Sequence, residues 1–420
     1  MKREIKVGIF GLGRGSTFYK AFLYNNGNIV AVCDREEKKL EAAREELGSS
    51  VALYRDFDEF IEHPGLEAVF LCNNFHQHAD FAIRALKRNI HVLSECTSNA
   101  TMADGVALVR AARESRAIYM LSENYPYMKF NLEMKRVFEG GTLGKLLFAE
   151  GEYNHPLDSS NEAYIKSVRP YEKHWRNYLP RTYYITHSLG PLMNITGASP
   201  KRVTAMPVYA PDAPRDMLMG YDVGDRAAII TTRNDDDSVF RVTGCAAFGF
   251  HENSYRICGV KGQVENLRDG SGRIHLGYNK CDMPENGSKS ICYEPEWNDK
   301  DEKLIELSGH GGGDFLVVRE FLTCIRENKQ PFFDVYRSTT MASVAILSHR
   351  SLLERGVPYD IPDFHDESEL IRYENDRLTP FYGDNGEEPS LPCCSHPDFV
   401  ADEDTIEDYR RILNTDYTGN

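Results

Sequence analysis

The chain has 420 residues, and its 49 Lys and Arg against 64 Asp and Glu give a formal net charge of −15. With 41% hydrophobic and 27% charged residues, the composition is globular and excludes disorder along the whole chain. The acidic balance argues against nucleic acid or an anionic membrane as the main partner. The length predicts two or three domains.

The start of the chain lacks the features of a secretion signal. Lys2, Arg3, Glu4 and Lys6 interrupt it, and the apolar run that follows is short and glycine-rich. No stretch reaches the ~20 apolar residues of a membrane span. The ten cysteines include no CxxC pair. These features predict a cytoplasmic protein with reduced thiols.

Short apolar runs alternate with helical patterns over the first 120 residues. The predicted strands are Ile5–Phe10, Ile29–Cys33, Ala68–Leu71, His91–Ser94 and Ile118–Leu121. The predicted helices are Thr17–Asn25, Glu36–Leu47, Ala79–Lys87 and Met102–Glu114. Because strands separated by helices form right-handed crossovers, we expect a parallel sheet covered on both faces.

The pattern changes near Tyr125. Strand-like runs then dominate without regular intervening helices, which favours antiparallel pairing; they are Leu146–Tyr153, Arg202–Val208, Arg226–Thr232, Val239–Phe250 and Ser254–Val260. Further helices are predicted at Phe130–Glu139, Phe315–Arg326 and Thr340–Glu354. We therefore expect a first domain over residues 1–124, a second over 125–365, and an acidic extension over 366–420 with little core of its own.

A glycine-rich turn follows the first predicted strand and opens a helix; it consists of Gly11, Gly13, Arg14, Gly15 and Ser16. Such turns let a dinucleotide pyrophosphate approach the backbone. Asp34 ends the second strand, where a carboxylate binds ribose hydroxyls and repels a 2′-phosphate, so NAD is favoured, although Arg35 leaves NADP open. The third glycine comes one residue early, with Ser16 where the last is expected. An ordinary βα turn is the alternative.

Several further motifs follow along the chain: His78, Glu95, Asn124, Gly151–His155, Trp175-Arg176, Tyr184–Pro191, His310–Asp314 and Ile361–Phe364. With the glycine turn and Asp34, they make residues 4–365 resemble the Gfo/Idh/MocA family of NAD(P)-dependent oxidoreductases. The sequence is most similar to that family's NAD-dependent glycosidases, typified by α-N-acetylgalactosaminidase. The resemblance implies an α/β chain: an N-terminal Rossmann dinucleotide-binding domain and a C-terminal α+β domain with an open, mostly antiparallel sheet. It also implies NAD as cofactor, a sugar or glycoside as substrate, and a homodimer or homotetramer.

The resemblance also assigns a cofactor site. Its residues are Gly11, Gly13, Arg14, Gly15, Ser16, Asp34, Arg35, Asn74, His78, Glu95, Cys96 and Asn124, with His78 lining the nicotinamide pocket. Most dehydrogenases of the family carry Glu-Lys-Pro where this chain has Glu95-Cys96-Thr97, and an aspartate where it has Tyr183. The glycosidase branch also lacks that lysine. Simple alcohol dehydrogenation is therefore disfavoured.

Four residues form the candidate acid–base group. Tyr153 and His155 are two apart in a strand and share a face. Tyr184 and His187 are three apart, as in a helix turn, and we expect the Ser188–Pro191 run to break that helix. The alternatives are a packed sheet tyrosine and two satisfied core histidines; the resemblance favours a functional role.

Two further residues complete the candidate site. Arg176 follows a tryptophan, and its alternative is a side chain that only covers surface. His310 precedes three glycines, where the backbone can approach a ligand. His155, His187 and His310 together could instead hold a metal ion, but their spacing does not require one, and no metal is predicted.

The resemblance implies glycoside cleavage through transient oxidation of the sugar at C3, loss of the C2 proton, elimination at C1, water addition and re-reduction. His187 is expected to take the C3 hydroxyl proton. Tyr153 is the expected base at C2, with its pKa lowered by His155 or Arg176, and Arg176 or Tyr184 would donate to the enolate. The expected substrate-binding residues are Tyr153, Arg176, Tyr184, His187 and His310.

Two other functions remain open. One is an NAD-dependent sugar or inositol dehydrogenase, or a glycoside 3-oxidase, which would accumulate NADH in proportion to substrate. The other is a non-enzymatic sensor. The joint presence of Tyr153, His155, Tyr184 and His187 argues against it. The loops 156–180 and 209–225 are expected to set the sugar, anomer and aglycone.

Overall fold

The computed structural model describes residues 3–156, 160–211, 224–285, 287–383 and 386–417. The strands are β1 Ile5–Phe10, β2 Gly27–Cys33, β3 Ala52–Tyr54, β4 Ala68–Leu71, β5 His91–Ser94, β6 Tyr119–Leu121, β7 Leu146–Asn154, β8 Pro200–Tyr209, β9 Asp225–Asn234, β10 Val239–Thr243, β11 Glu252–Gly259, β12 Gly262–Asn266, β13 Ile274–Tyr278, β14 Ser290–Tyr293 and β15 Tyr359–Asp360. The helices are α1 Leu12–Gly15, α2 Tyr19–Tyr24, α3 Glu37–Leu47, α4 Phe57–Ile61, α5 His78–Leu86, α6 Met102–Glu114, α7 Lys129–Glu139, α8 Glu162–Val168, α9 Thr186–Thr196, α10 Glu302–Glu306, α11 Gly313–Glu327, α12 Val335–Leu353, α13 Glu367–Leu370 and α14 Glu403–Asn414.

The chain divides into two compact units. Unit 1 comprises Met1–Arg136, Glu294–Ala342 and Pro362–Arg377; unit 2 comprises Val137–Tyr293, Ser343–Ile361 and Leu378–Asn420. This division differs from the contiguous domains 1–124 and 125–365 expected from the sequence. The chain returns to unit 1 because α11 buries its apolar face there.

The sheet of unit 1 has the order β3-β2-β1-β4-β5-β6, and all its pairs are parallel. Strand β4 is apolar without alternation and every residue of it is buried, as in a parallel sheet with helices on both faces. This is the doubly wound order of a Rossmann domain, so the predicted fold of the N-terminal half is confirmed. The sequence interpretation missed β3 and α4, which are only three and five residues long.

The core of unit 1 joins the sheet to a helix from late in the chain. Val7 and Ile9 of β1, and Phe70 of β4, lie in one buried cluster with Phe321 and Leu322 of α11. Helix α11 packs against α2, which follows the glycine turn. The helix that follows the turn thus packs against residues of α11 that come much later in the chain.

The sheet of unit 2 has the order β14-β13-β12-β11-β7-β10-β9-β8-β15. Its pairs are antiparallel except β7 with β10, which confirms the predicted mostly antiparallel sheet. The predicted strand Val239–Phe250 is shorter, since β10 ends at Thr243. The chain leaves the ladder at Gly244, where an added Cβ would lie 2.0 Å from the Arg181 carbonyl oxygen.

The predicted extension 366–420 is divided between the two units. In unit 2, α14 contributes Tyr409 and Ile412 to a small cluster with Ile165 of α8, in line with the expectation of little core of its own. None of the helices in the described part of the chain is long and apolar enough to cross a bilayer. The predicted cytoplasmic location and homo-oligomer stay predictions.

Candidate active site

The glycine turn of unit 1 has the backbone geometry that close approach to a ligand requires. Gly11 has φ +88°, and an added Cβ would lie 2.5 Å from the carbonyl oxygen of Cys72. Its N–H donates to Cys33 O (2.9 Å), and the Gly15 N–H donates back to Gly11 O (3.1 Å). A side chain at position 11 would fill this cradle, so the turn fits a dinucleotide pyrophosphate.

Asp34 lies just beyond β2, 9% exposed. Its carboxylate accepts hydrogen bonds from the backbone N–H of Leu12 (2.8 Å) and of Glu36 (2.9 Å). The neighbouring Arg35 is exposed, and its carbonyl accepts from Arg55 (3.2 Å). A carboxylate held this close to the turn fits the ribose end of NAD, as the sequence predicts.

Arg14, within the turn, belongs to a charged network that connects to the start of α11. Its guanidinium donates to Glu95 Oε1 (3.2 Å) and to Asp314 Oδ1 (2.9 Å). Asn124 Nδ2 donates to the same Asp314 oxygen (2.7 Å), and His310 Nδ1 lies 3.1 Å from its Oδ2. The structure therefore brings together four predicted site residues around Asp314.

Asp314 was not predicted as a site residue, although it stands in the first turn of a helix after three glycines. Burial alone would raise its pKa, but the hydrogen bond from His310 and the charge of Arg14 outweigh burial and lower the pKa to about 2. The carboxylate is thus charged at neutral pH. It fixes Arg14, Asn124 and His310 relative to one another.

The remaining predicted cofactor residues lie around the carboxyl ends of β1, β4 and β5. Ser16 Oγ donates to Gly13 O (3.3 Å), and Asn74 directly precedes the short 3-10 turn Phe75–Gln77. Cys96, where the family lysine is expected, donates its Sγ–H to the buried carboxylate of Glu123 (3.3 Å). A thiol there cannot carry the positive charge that a lysine would.

His78 is 1% exposed rather than open to a ligand. Its Nδ1 lies 2.9 Å from Thr97 O and its Nε2 3.1 Å from Asn73 O. Burial lowers its pKa, against the effect of these carbonyls. The side chain connects the backbone segments after β4 and β5. These segments, rather than the buried imidazole itself, would then line the predicted nicotinamide pocket.

In unit 2, the predicted tyrosines and histidines gather into one cluster. The Tyr153 ring centroid lies 5.4 Å from that of His155, 5.5 Å from Tyr184 and 5.1 Å from His187. Tyr184 and His187 are themselves 5.5 Å apart. Tyr153 is only 4% exposed. Phenol and imidazole groups at this spacing can exchange protons with one bound substrate.

Close packing of α9 on β7 brings the cluster together. At Gly151 an added Cβ would lie 2.0 Å from the Ser188 carbonyl oxygen, so only glycine lets the helix start so near the strand. The predicted helix break is wrong, because α9 continues through Pro191 to Thr196. Pro191 has no N–H for the His187 carbonyl, and Tyr255 donates its hydroxyl hydrogen there instead (2.5 Å).

One further histidine stacks on the cluster, whereas Arg176 lies in a turn elsewhere in the same unit. The exposed His251, which the sequence interpretation missed, stacks on His155 with 4.4 Å between centroids. No local pattern signals it, since it lies in an irregular segment between β10 and β11. Arg176 sits in the 3-10 turn Trp175–Asn177, where its guanidinium stacks on Trp175 at 4.4 Å.

Metal binding gains no support. Among the described residues, no three His, Cys, Asp or Glu side chains are placed to share an ion. Of the predicted specificity loops, residues 157–159 and 212–223 lie outside the part of the chain that the structure describes.

Two family models match the sequence. Residues 5–123 match the model described as the oxidoreductase family, NAD-binding Rossmann fold, and residues 210–369 match the C-terminal domain of glycosyl hydrolase 109. Together the two matches support a place for this chain among the Gfo/Idh/MocA oxidoreductases, in their glycosyl hydrolase 109 branch. It is an NAD-dependent enzyme of the glycosidase class. The Tyr153–His187 cluster lies between the two matched ranges.

Two relatives carry the same family name, and a solved structure shares the fold. A glycosyl hydrolase family 109 protein of Streptomyces niveus is 26% identical over 413 residues, covering 93% of this chain and 82% of its own length. A second, from Phocaeicola vulgatus, is 25% identical over 410 residues, covering 86% and 94%. Levoglucosan dehydrogenase in complex with NADH and L-sorbose shares the fold, with a TM-score of 0.70 over 86% of this chain and 100% of its own, at 16% identity.

Proposed function

We propose that this glycoside hydrolase cleaves its substrate by transient oxidation of the sugar at C3, followed by elimination at C1 and C2, addition of water and restoration of the C3 hydroxyl. Bound NAD supplies a reversible hydride acceptor. The residues at the glycine turn and Asp34 would hold it. The sugar class, anomer and aglycone are left to experiment.

The observation that carries the proposal is the cluster around Tyr153. A conventional glycosidase needs a pair of carboxylates flanking the bond. Here two phenols and two imidazoles are gathered instead, which suits removal of protons from a hydroxyl and from carbon. The elimination route requires those two proton transfers and no carboxylate pair.

Each residue has a proposed role. His187 takes the proton of the C3 hydroxyl, because an imidazole nitrogen can act as a general base. Tyr153 removes the C2 proton, which the C3 ketone has made acidic. Tyr184 and Arg176 are the candidate donors to the enolate oxygen. His155 packs beside Tyr153 and is placed to pass its proton onward. His310 is proposed as a substrate contact.

The runner-up, a sugar dehydrogenase or glycoside 3-oxidase, is distinguished by stoichiometry. Nitrophenyl α- and β-glycosides, N-acetylgalactosaminides included, would be incubated with enzyme and NAD while nitrophenol and NADH are followed together. We expect nitrophenol release without net NADH. NADH that rises in step with substrate, with no nitrophenol, would overturn the glycosidase proposal in favour of the dehydrogenase.

A further inference from the structure

We propose that the C-terminal strap, residues 378–383 and 386–417, holds the segment 169–184 in the conformation that catalysis requires, and that Tyr409 is its main positioning residue. The inference rests on the proposed function, because the segment carries Arg176 and ends at Tyr184. The strap and the segment both belong to unit 2.

Tyr409 attaches the strap to the segment's first half. The side chain is 1% exposed. Its hydroxyl donates to Arg169 O (3.0 Å) and accepts from Asn177 Nδ2 (3.0 Å). The Arg169 guanidinium lies over the ring, 5.2 Å from its centroid. One phenol thus ties together two points eight residues apart.

Asn177 connects the Tyr409 attachment to Arg176, a predicted site residue. It is fully buried and directly follows Arg176. Its amide also donates to Glu172 O (2.8 Å), which closes the loop Glu172–Asn177 on itself. Loss of the Tyr409 hydroxyl would leave one of the amide's hydrogen bonds unmade in a buried place and loosen the turn that carries Arg176.

A second attachment lies at the other end of the segment. Ser395 donates its N–H (2.8 Å) and hydroxyl hydrogen (2.5 Å) to the Asp225 carboxylate. The backbone carbonyl of Asp225 accepts from Arg181 Nε (2.8 Å), and Arg181 Nη1 reaches Cys245 O (3.1 Å). Arg181 is 2% exposed, so this end is also fixed internally.

Aromatic contacts join the two attachments. Phe381 meets Tyr183 edge to face at 5.2 Å, and Tyr382 meets Tyr178 at 4.8 Å. Lys173 Nζ lies 4.2 Å from the Tyr382 ring centroid. The strap therefore contacts the segment along its length. The chain runs directly from Tyr183 into the catalytic cluster, so a displaced segment would displace Tyr184.

The first test compares Tyr409→Phe with Tyr417→Phe in the full-length, NAD-loaded enzyme. Tyr417 is a matched control, because its hydroxyl bonds to Glu162 on α8 (2.7 Å) and not to the segment. With the glycoside that wild type cleaves best, Tyr409→Phe should lower kcat roughly tenfold, while KM and the Kd for NAD change less than about twofold. Tyr417→Phe should match wild type in all three.

The second test needs no substrate. Trp175 and Trp297 are the two tryptophans of the chain, so Trp297→Phe leaves Trp175, next to Arg176, as the single reporter. In that background Tyr409→Phe and Ser395→Ala should each increase quenching of Trp175 by acrylamide, and Tyr417→Phe should not. Ser395→Ala also tests the strap independently if Tyr409→Phe fails to fold.

The outcomes separate the strap from the reaction. If wild type cleaves no glycoside, the proposed function fails, while the quenching data still report whether the strap orders the segment. Unchanged quenching and unchanged kcat in both Tyr409→Phe and Ser395→Ala would overturn the proposal. Increased quenching with normal kcat would also overturn it, because the strap would then be a structural support alone.

Discussion

The rings of Tyr153 and His187 meet at 87°, with 5.1 Å between their centroids. Tyr153 comes from a strand and His187 from the first turn of a helix, and Gly151 sets their separation by letting the two backbones touch. A phenol and an imidazole in this relation can divide two proton transfers between them.

Removal of the Tyr153 hydroxyl tests that division. We expect Tyr153→Phe to slow exchange of the sugar C2 proton with solvent by at least about a hundredfold, because the proposed base is lost. Cofactor reduction should survive in part, because His187 remains. Deuterium incorporation at C2, followed by NMR, and nicotinamide absorbance measure the two steps. Tyr278→Phe in β13, whose hydroxyl bonds to Thr142, is the control and should exchange as wild type. C2 exchange that persists in Tyr153→Phe would show that another group is the base.

Asp34 should set both affinity for NAD and discrimination against NADP. Asp34→Ser removes the charged acceptor proposed for the ribose and should raise the Kd for NAD roughly 10- to 100-fold. The Kd for NADP should rise less or fall. Fluorescence titration measures both constants. Glu36→Gln, an exposed neighbour, should leave both near wild type; an equal effect of the two substitutions would contradict the role of Asp34.

Gly151 should be intolerant of any side chain. Gly151→Ala places a Cβ 2.0 Å from the Ser188 carbonyl oxygen, so α9 must move. We expect the free energy of unfolding to fall by about 2 kcal/mol or more, with a loss of kcat. Urea denaturation measures the first quantity. At Gly277 the nearest atom would lie at 3.5 Å, so Gly277→Ala is the matched control. Equal stability of the two variants would mean that the helix start can shift without cost.

His349 should make stability fall in mild acid. It is 1% exposed, and burial lowers its pKa to about 4, with the Pro392 carbonyl opposing and Arg350 adding to the shift. Between about pH 6.5 and pH 4 only the unfolded chain binds the proton, so stability present above this window is lost as the pH falls through it.

Between pH 7 and pH 5 this histidine should account for a loss of about 2 kcal/mol in unfolding free energy. His349→Gln keeps a donor for Pro392 O but cannot titrate, and should lose correspondingly less over the same interval. Urea unfolding at the two pH values measures the difference. The exposed His365→Gln should behave as wild type. An unchanged difference in His349→Gln would assign the acid sensitivity elsewhere.

The first sheet could be predicted because its strands are mostly apolar runs separated by helical patterns, and because the glycine turn and Asp34 follow the first two of them. Tyr153 and His155 could be paired from the period of a strand. Contacts between distant parts of the chain could not be predicted. Arg14 and Asp314 are 300 residues apart, and no local sequence pattern at either residue indicates that they pair. His251 lies in an irregular segment with no period to follow. The helix through Pro191 depends on Tyr255, a donor from a distant strand.

The return of α11 to unit 1 bears on how the protein is made. The ribosome delivers all six strands of the first sheet long before it delivers Phe321 and Leu322, which complete the apolar cluster beneath them. We therefore expect the apolar surface that α11 later covers to stay exposed in the nascent chain while most of unit 2 is synthesised. Cofactor capture before Glu327 has emerged is not expected, and an isolated 1–136 fragment should need a chaperone or bind apolar dyes. Unit 1, despite its local contacts, should thus complete its folding only after α11 has been synthesised.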